Sequence, residues 1–253
     1  MYAEQRQQLI VERARRAGRV DVAGLATELE VTAETIRRDL TALERHGLLR
    51  RVHGGAIPAE RLGFEPALAD RDAVMTPEKE GIAKAALQEL PAGGSVLLDA
   101  GSTTARLAEL LPGDRDLMVV TNALPVAMTL AVRPGLTLLM VGGRVRGSTM
   151  AAVDDWALRA LGDTLVDVAF VGANGISVER GLTTPDPAEA AVKRAMLAAA
   201  RRVVVLADHT KVGSNHFARF GAVGDVDVLV TDSGLDPARA ARIEAAGPRV
   251  VLA

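Results

Sequence analysis

The sequence predicts an α/β protein in two parts: a small N-terminal winged helix-turn-helix module, then a larger domain of helices around a mostly parallel sheet. Three observations predict it. From Pro77 onward, seven short β-branched runs alternate with Ala- and Leu-rich stretches of helical length, the pattern of β/α units. Before residue 57, three short amphipathic segments are separated by tight turns and closed by a glycine-tipped hairpin. Between the two parts, residues 57–75 mix charges with Pro58, Gly63 and Pro66, a composition that suits a connector. The expected divisions are a winged helix-turn-helix at 1–57, a linker at 58–76 and an α/β domain at 77–253.

The first segment, Ala3–Ala17, places Leu9, Ile10 and Ala14 at helical spacing and ends at Gly18. Asp21 can cap a second helix that buries Val22, Leu25, Ala26 and Leu29. After the turn at Glu30–Val31, Thr32 can cap a third. On that helix Ile36, Leu40 and Leu43 form one narrow apolar stripe, with Arg38, Thr41 and Arg45 opposite and Arg37 at the edge. Leu48–Ala56 then reads as a short wing carrying Arg50, Arg51 and His53. Residues 37–53 hold five arginines against Asp39 and Glu44. A guanidinium fork fits both guanine and phosphate, so this face is expected to bind DNA. The expected contacts are Thr32, Thr35, Arg37, Arg38, Thr41, Arg45, Arg51 and His53. Asp39 would repel phosphate, and a structural pairing with a nearby arginine is expected for it.

Composition limits the rest. The chain has 253 residues, 49% of them hydrophobic and 25% charged, and a formal net charge of −2. Charge is uneven: residues 1–61 carry 11 Arg against 9 carboxylates, and the remainder is net acidic. There are no cysteines, which excludes disulfides, thiolate metal sites and cysteine nucleophiles. The four histidines are scattered, so neither a metal site nor a cofactor is expected. No apolar run approaches the ~18 residues of a membrane span, and no leader is visible. A cytoplasmic protein without membrane contact is expected.

In the larger part, strands are expected at Ser95–Asp99, Leu117–Thr121, Leu136–Val141, Val166–Gly172, Val203–Asp208, Val226–Asp232 and Arg249–Leu252. Helices are expected near Glu78–Leu90, Thr103–Leu111, Ala123–Val132, Asp154–Leu161, Ala188–Ala200 and Pro237–Ala246. The first strand ends in Asp99, followed by Gly101, Ser102, Thr103 and Thr104 at a helix start. Amides and hydroxyls there suit a phosphate dianion. Other strands end in similar small or polar loops: Thr121-Asn122, Gly142-Gly143, Gly172-Ala173-Asn174-Gly175 and Asp208-His209-Thr210-Lys211. In a parallel sheet such loops share one edge and can line one pocket. Gly181-Leu182-Thr183-Thr184 leads to a helix whose Glu189 and Lys193 lie on one face. The chain has 26 Arg and only 4 Lys (79, 84, 193 and 211), so its lysines stand out. Lys193 and Lys211 are expected in the pocket. Trp156 is expected in the core or an interface.

Val31–Leu40, containing Thr35-Ile36-Arg37-Arg38-Asp39-Leu40, followed by the wing Arg51-Val52-His53-Gly54-Gly55-Ala56, resembles the helix-turn-helix of the DeoR family. The loops of the second part follow the same family's order. Met1-Tyr2-Ala3-Glu4 and Phe217–Gly221 are most similar to its fructose-operon repressors. The resemblance implies a DNA-binding repressor of sugar-metabolism genes. It also implies a sensor domain similar in fold to ribose-5-phosphate isomerase, with fructose 1-phosphate the favoured effector. Implied effector contacts are Asp99, Gly101, Ser102, Thr103, Thr104, Thr121, Asn122, Gly142, Gly143, Asn174, Thr183, Thr184, Glu189, Lys193 and Lys211. The rival readings are the same class of repressor with a different phosphosugar effector, and a sugar-phosphate isomerase-like enzyme fused to a DNA-binding module; against the latter, the loop at 172–175 has no acid to serve as base. No catalytic residue is therefore expected. A single module makes a small DNA interface, so a homodimer or homotetramer on repeated operator half-sites is expected.

Overall fold

The computed structural model describes residues 3–58 and 65–253, and counts and absences refer to these residues. Met1, Tyr2 and residues 59–64 of the connector lie outside them. The chain divides into two compact units, 1–66 and 67–253.

The first unit contains α1 (Ala3–Ala17), β1 (Val20–Asp21), α2 (Val22–Glu28), α3 (Ala33–Arg45), β2 (Leu49–Val52) and β3 (Gly55–Pro58). Asp21 caps α2 by accepting from Gly24 N, and Thr32 caps α3 by accepting from Thr35 N. Ile10 and Ala14 of α1 pack with Leu25, Ile36, Leu40, Leu43 and Leu49 in one core. β2 and β3 form the wing, and β1 adds a third antiparallel strand. That strand is too short to leave a two-residue period in the sequence. It approaches so closely that a Cβ on Gly55 would meet Val20 O at 2.0 Å.

In the second unit, α4 (Leu68–Asp72) and α5 (Thr76–Ala86) precede β4 (Gly94–Leu98), α6 (Ser102–Leu110), β5 (Leu117–Thr121), α7 (Leu124–Leu130) and β6 (Leu136–Met140). β7 (Arg144–Arg146), β8 (Ala151–Val153), α8 (Asp155–Gly162), β9 (Val168–Gly172), β10 (Gly175–Ser177), β11 (Gly181–Thr184) and α9 (Pro187–Ala198) follow. The chain ends with β12 (Val203–Leu206), β13 (Ala218–Gly221), β14 (Val228–Thr231), α10 (Pro237–Glu244) and β15 (Arg249–Leu252). The seven expected strands make one parallel sheet, ordered β15-β14-β12-β9-β4-β5-β6. Each face carries its own apolar cluster. One side of the sheet packs Leu97, Ala169 and Val205 with Ala157, Val192 and Met196. The other packs Val96, Leu98 and Phe170 with Ile82, Leu107 and Val126.

From β4 the chain winds outward through β5 and β6. It then crosses back to β9, on the other side of β4, and winds outward again. The order therefore reverses between β4 and β9, where ligands of open α/β sheets bind.

The structure departs from the sequence expectations in three places. Residues 68–72, expected inside the linker, form α4, because Asp72 pairs with Arg106 of α6 at 3.0 Å and Leu68 N donates to Ser148 O at 2.8 Å. The connections after β6, β9 and β12 contain extra antiparallel pairing, β7–β8 and β10–β11–β13. Trp156 lies outside the core at 71% exposure, because α8 turns Ala157 and Leu161 inward instead.

Candidate functional site

On α3, Ile36, Asp39, Leu40 and Leu43 are buried, while Arg37, Arg38 and Arg45 are exposed. Thr32 and Thr35 occupy the first turn with their hydroxyls 2.9 Å apart. Thr41 donates to Arg37 O at 2.8 Å and accepts from Arg51 Nη1 at 3.2 Å, so helix and wing are stitched together. Arg51 N also donates to Glu44 Oε1 at 2.8 Å. His53 lies at the exposed wing tip, where its carbonyl accepts from Arg19 Nη2 at 3.1 Å. Arg37 and Arg38 share Glu34 at 3.4 and 3.7 Å, and exposed pairs of this kind are weak enough for a phosphate or base edge to displace. All eight residues expected at DNA thus lie on α3 and the wing. Asp39 faces inward onto Arg6.

The second unit gathers its polar groups at the switch point. Asp99 follows β4 and is buried. Its Oδ2 accepts from Lys193 Nζ and from Gly172 N at 3.0 Å. Lys193, on α9, also donates to Gly172 O at 2.9 Å and lies 5.5 Å from the Phe220 ring centre. Burial pushes the Asp99 carboxyl upward, and the Lys193 ammonium and the Gly172 amide pull against it. A small cavity opens here, lined by Asp99, Ala100, Asn122, Ala151, Glu189, Val192 and Lys193. Asn122 Nδ2 donates to Ala152 O at 3.0 Å, whereas its buried Oδ1 accepts from nothing among the described residues. Both bonds to Asp99 converge on Oδ2, which leaves Oδ1 free of them.

Glu189 and Lys193 are four residues apart, yet each is buried and paired elsewhere. Glu189 accepts from the Thr149 and Thr184 hydroxyls, the latter at 3.3 Å, and meets Arg146 Nη1 at 2.5 Å. Asp186 caps α9 and also holds Arg146 Nε at 3.3 Å. Next to Ala100, α6 begins at Gly101 with no side-chain cap, so its first-turn amides stay available, with Ser102 and Thr103 beside them. Thr104 donates to Gly101 O at 3.0 Å and so shapes the turn.

Other expected pocket residues serve the fold. Thr121 donates to Leu98 O at 2.7 Å and accepts from Ala123 N at 3.1 Å. Thr183 donates to Gly175 O at 3.2 Å and accepts from His216 N at 3.0 Å. Asn174 N donates to Thr183 O. Gly142 and Gly143 do not line the cavity. Gly143 has φ +151°, and a Cβ there would meet Val153 O at 2.5 Å. Lys211 sits 3.9 Å from buried Asp208, one strand further along. Burial works to raise Asp208, but Lys211, the Thr210 hydroxyl and Lys79 hold it below the usual range.

Sequence reasoning missed Arg146 and Thr149, because the β7–β8 hairpin was not legible. It also assigned no role to Lys79, although lysine scarcity singled it out. Lys79 is buried on α5 and donates to Arg71 O and, at 2.5 Å, to Val74 O, capping the end of α4. Burial lowers its pKa to about 8.

A helix-turn-helix with an arginine face, joined to an α/β unit with a polar cavity at its switch point, defines a DNA-binding regulator with a sensor domain. The profile of the DeoR-like helix-turn-helix domain matches residues 6–61, and that of the DeoR C terminal sensor domain matches residues 75–233. The chain belongs to the DeoR family of transcriptional regulators. It is 36% identical to the HTH-type transcriptional regulator GlpR of Haloferax volcanii, over 99% of this chain and 98% of that one. It is 34% identical to the uncharacterized HTH-type transcriptional regulator FruR of Bacillus subtilis, over 92% of each. It is 32% identical to the glycerol-3-phosphate regulon repressor of Escherichia coli, again over 92% of each. Among solved structures, ribose 5-phosphate isomerase A of Methanocaldococcus jannaschii matches 53% of each chain at 20% identity, with a TM-score of 0.39, a likeness too distant to carry an argument.

Proposed function

We propose that this repressor binds a phosphorylated sugar in the sensor cavity, fructose 1-phosphate first, and that binding weakens its hold on operator DNA. The observation that carries the reading is Asn122 Oδ1, a buried acceptor without a partner on a cavity beside an uncapped helix start. A sugar hydroxyl satisfies the acceptor, and a phosphate suits the free amides of α6. A relative named as the glycerol-3-phosphate regulon repressor supports a phosphorylated polyol. Gly101–Thr104, Asn122, Glu189 and Lys193 are the proposed contacts, with Lys211 at the margin. Thr121, Thr183, Gly142 and Gly143 shape the loops, as Asn174 does through its backbone.

The protein works as a switch: the ligand must favour a state with lower DNA affinity, since only differential affinity shifts the equilibrium. It acts in the cytoplasm as a homodimer or homotetramer on paired half-sites. No chemistry on the sugar is proposed, because Asp99 and Glu189 are both engaged by cations.

A ligand panel tests this. Fructose 1-phosphate should raise the melting temperature and release operator DNA, since a ligand at 100 times its Kd stabilises by about 2.7 kcal/mol. Glycerol 3-phosphate winning the panel would replace the effector and keep the pocket. Free fructose acting as well as its phosphate would refute the phosphate cradle. Isomerised product would refute the switch.

A further inference from the structure

We infer that Arg6 is a positioning residue for DNA reading: its buried fork on Asp39 sets the angle at which α3 presents Arg37 and Arg38. Asp39 follows directly after those two arginines and points the opposite way. Arg6 Nε donates to Asp39 Oδ2 at 2.5 Å, and Nη2 donates to Oδ1 at 3.2 Å. Gln7 Nε2 adds a third bond to Oδ1 at 3.0 Å. Arg6 is 8% exposed and Asp39 4%. Two parallel bonds fix the plane of the carboxylate as well as its distance. The carboxylate is a single methylene from the α3 backbone, so fixing its plane limits rotation of α3 about its own axis.

The other contacts that seat α3 on α1 are apolar, and its polar bonds to the wing, from Arg51 to Thr41 and Glu44, are made at exposed positions. Ile36, Leu40 and Leu43 against Ile10 and Ala14 give a strong but non-directional attraction. Such a stripe tolerates a roll of the helix by a few degrees. The reading arginines are exposed and held only by Glu34 at 3.4 and 3.7 Å, so the seat of the helix sets where their forks begin. Base recognition needs a fork placed within the narrow limits of a hydrogen bond, whereas phosphate attraction does not. A buried ion pair also contributes little net stability compared with apolar side chains of the same volume, and its best-attested use is to specify one arrangement.

The experiment separates positioning from stability. A duplex is first selected from a random library by the wild-type full-length protein, and a scrambled duplex of equal composition serves as control. Three proteins are compared at a temperature where circular dichroism and amide exchange of α3 show the N-terminal unit folded. Arg6→Lys keeps the charge but loses the fork. Arg6→Met with Asp39→Leu removes both charges and leaves apolar volume. Both variants should lower the selected-to-scrambled affinity ratio about tenfold, the size of one well-placed base contact. Affinity for the scrambled duplex and the salt slope should stay within about twofold. An unchanged ratio in folded variants would show that the pair only packs. An equal loss on both duplexes, with a shallower salt slope, would show that Arg6 itself touches phosphate. Either result overturns the inference. Arg6→Lys keeps the test decisive if the double variant does not fold.

Discussion

The two units each bury an ion pair, and the pairs differ in what is left over. In the DNA-binding unit, Arg6 and Asp39 exhaust each other: both carboxylate oxygens are engaged, and Gln7 closes the remaining side. In the sensor unit, Lys193 and Asp99 meet through a single carboxylate oxygen, beside a cavity with a second buried acceptor on Asn122. The same chemistry therefore closes on itself in one place and keeps an acceptor beside a cavity in the other. Spare hydrogen-bonding capacity next to open space makes the difference, and charge type does not.

The largest effect should come from breaking the sensor pair. Lys193→Met leaves Asp99 buried and uncompensated, which costs about 3–5 kcal/mol when a buried pair loses one partner. The variant should lose effector response and also much of its stability, so denaturant midpoints must accompany any ligand titration. The pH dependence gives the sign. Asp99 is raised by burial, so the folded state holds that proton to higher pH than the unfolded state. Its contribution is fully present below the ordinary aspartate range and is lost as pH rises through the raised value. Asp99→Asn should flatten this decline, seen as denaturant midpoints measured across acidic pH. A decline that survives the substitution would place the titration elsewhere.

The DNA side sharpens the comparison at its exposed arginines. Arg38→Ala should cost about 1–3 kcal/mol on operator and little on random duplex, if Arg38 reads a base. Arg51→Ala should weaken both alike and reduce the salt slope by about one, because a wing arginine near the backbone acts through phosphate. Binding measured at several salt concentrations separates the two. Identical behaviour of both variants would remove the distinction between helix and wing.

How much of this was legible follows from what each residue type signals. The seven parallel strands were readable because each is a β-branched run closed by a small or polar loop, as at Val203–Leu206 before Asp208. The strands β10, β11 and β13 were not, since Gly175–Ser177, Gly181–Thr184 and Ala218–Gly221 are three or four residues long and rich in Gly and Thr. They carry too few apolar positions to show a period of two. Hydroxyls were the second blind spot. Thr121 and Thr183 look like pocket residues by type, but their hydroxyls bond backbone groups of neighbouring strands and loops. Composition cannot distinguish a ligating threonine from one that serves the backbone. Glu189 and Lys193 were placed on the right helix, and their true partners, Arg146 and Asp99, lie 43 and 94 residues away in sequence. Four-residue spacing showed that they share a helix face, and only the tertiary fold shows which partners that face meets.

A third buried cation, Lys79, tests whether burial without a close carboxylate behaves differently from both pairs. It donates only to carbonyls, and its pKa falls to about 8 from an ordinary 10.5. The unfolded chain then binds more protons than the folded one between those values, so stability should rise with pH from about 8 to 10.5. Lys79→Met should abolish that rise in denaturant midpoints. Persistence of the slope would assign it to another group.

The smallest effect on stability, and the one that joins the two halves of the comparison, is expected at Asp72. It sits on α4, only a few residues after the DNA-binding unit ends, and pairs with Arg106 of α6 at 3.0 Å. The same α6 starts at Gly101–Thr104, the proposed phosphate cradle. Leu68 of α4 also donates to Ser148 O, and the neighbouring Thr149 donates to Glu189 on the cavity wall. Elements proposed to touch the ligand therefore hold the first helix beyond the connector. Asp72 is half-exposed, so Asp72→Asn should change stability by less than about 1 kcal/mol. It should leave effector affinity and effector-free operator affinity near wild type, since Asp72 touches neither ligand. The quantity expected to fall is their coupling, the ratio of operator affinities with and without saturating effector. Fluorescence anisotropy on labelled operator, with fructose 1-phosphate titrated into both proteins, measures all three. A full response in Asp72→Asn would show that the signal leaves the sensor by another route.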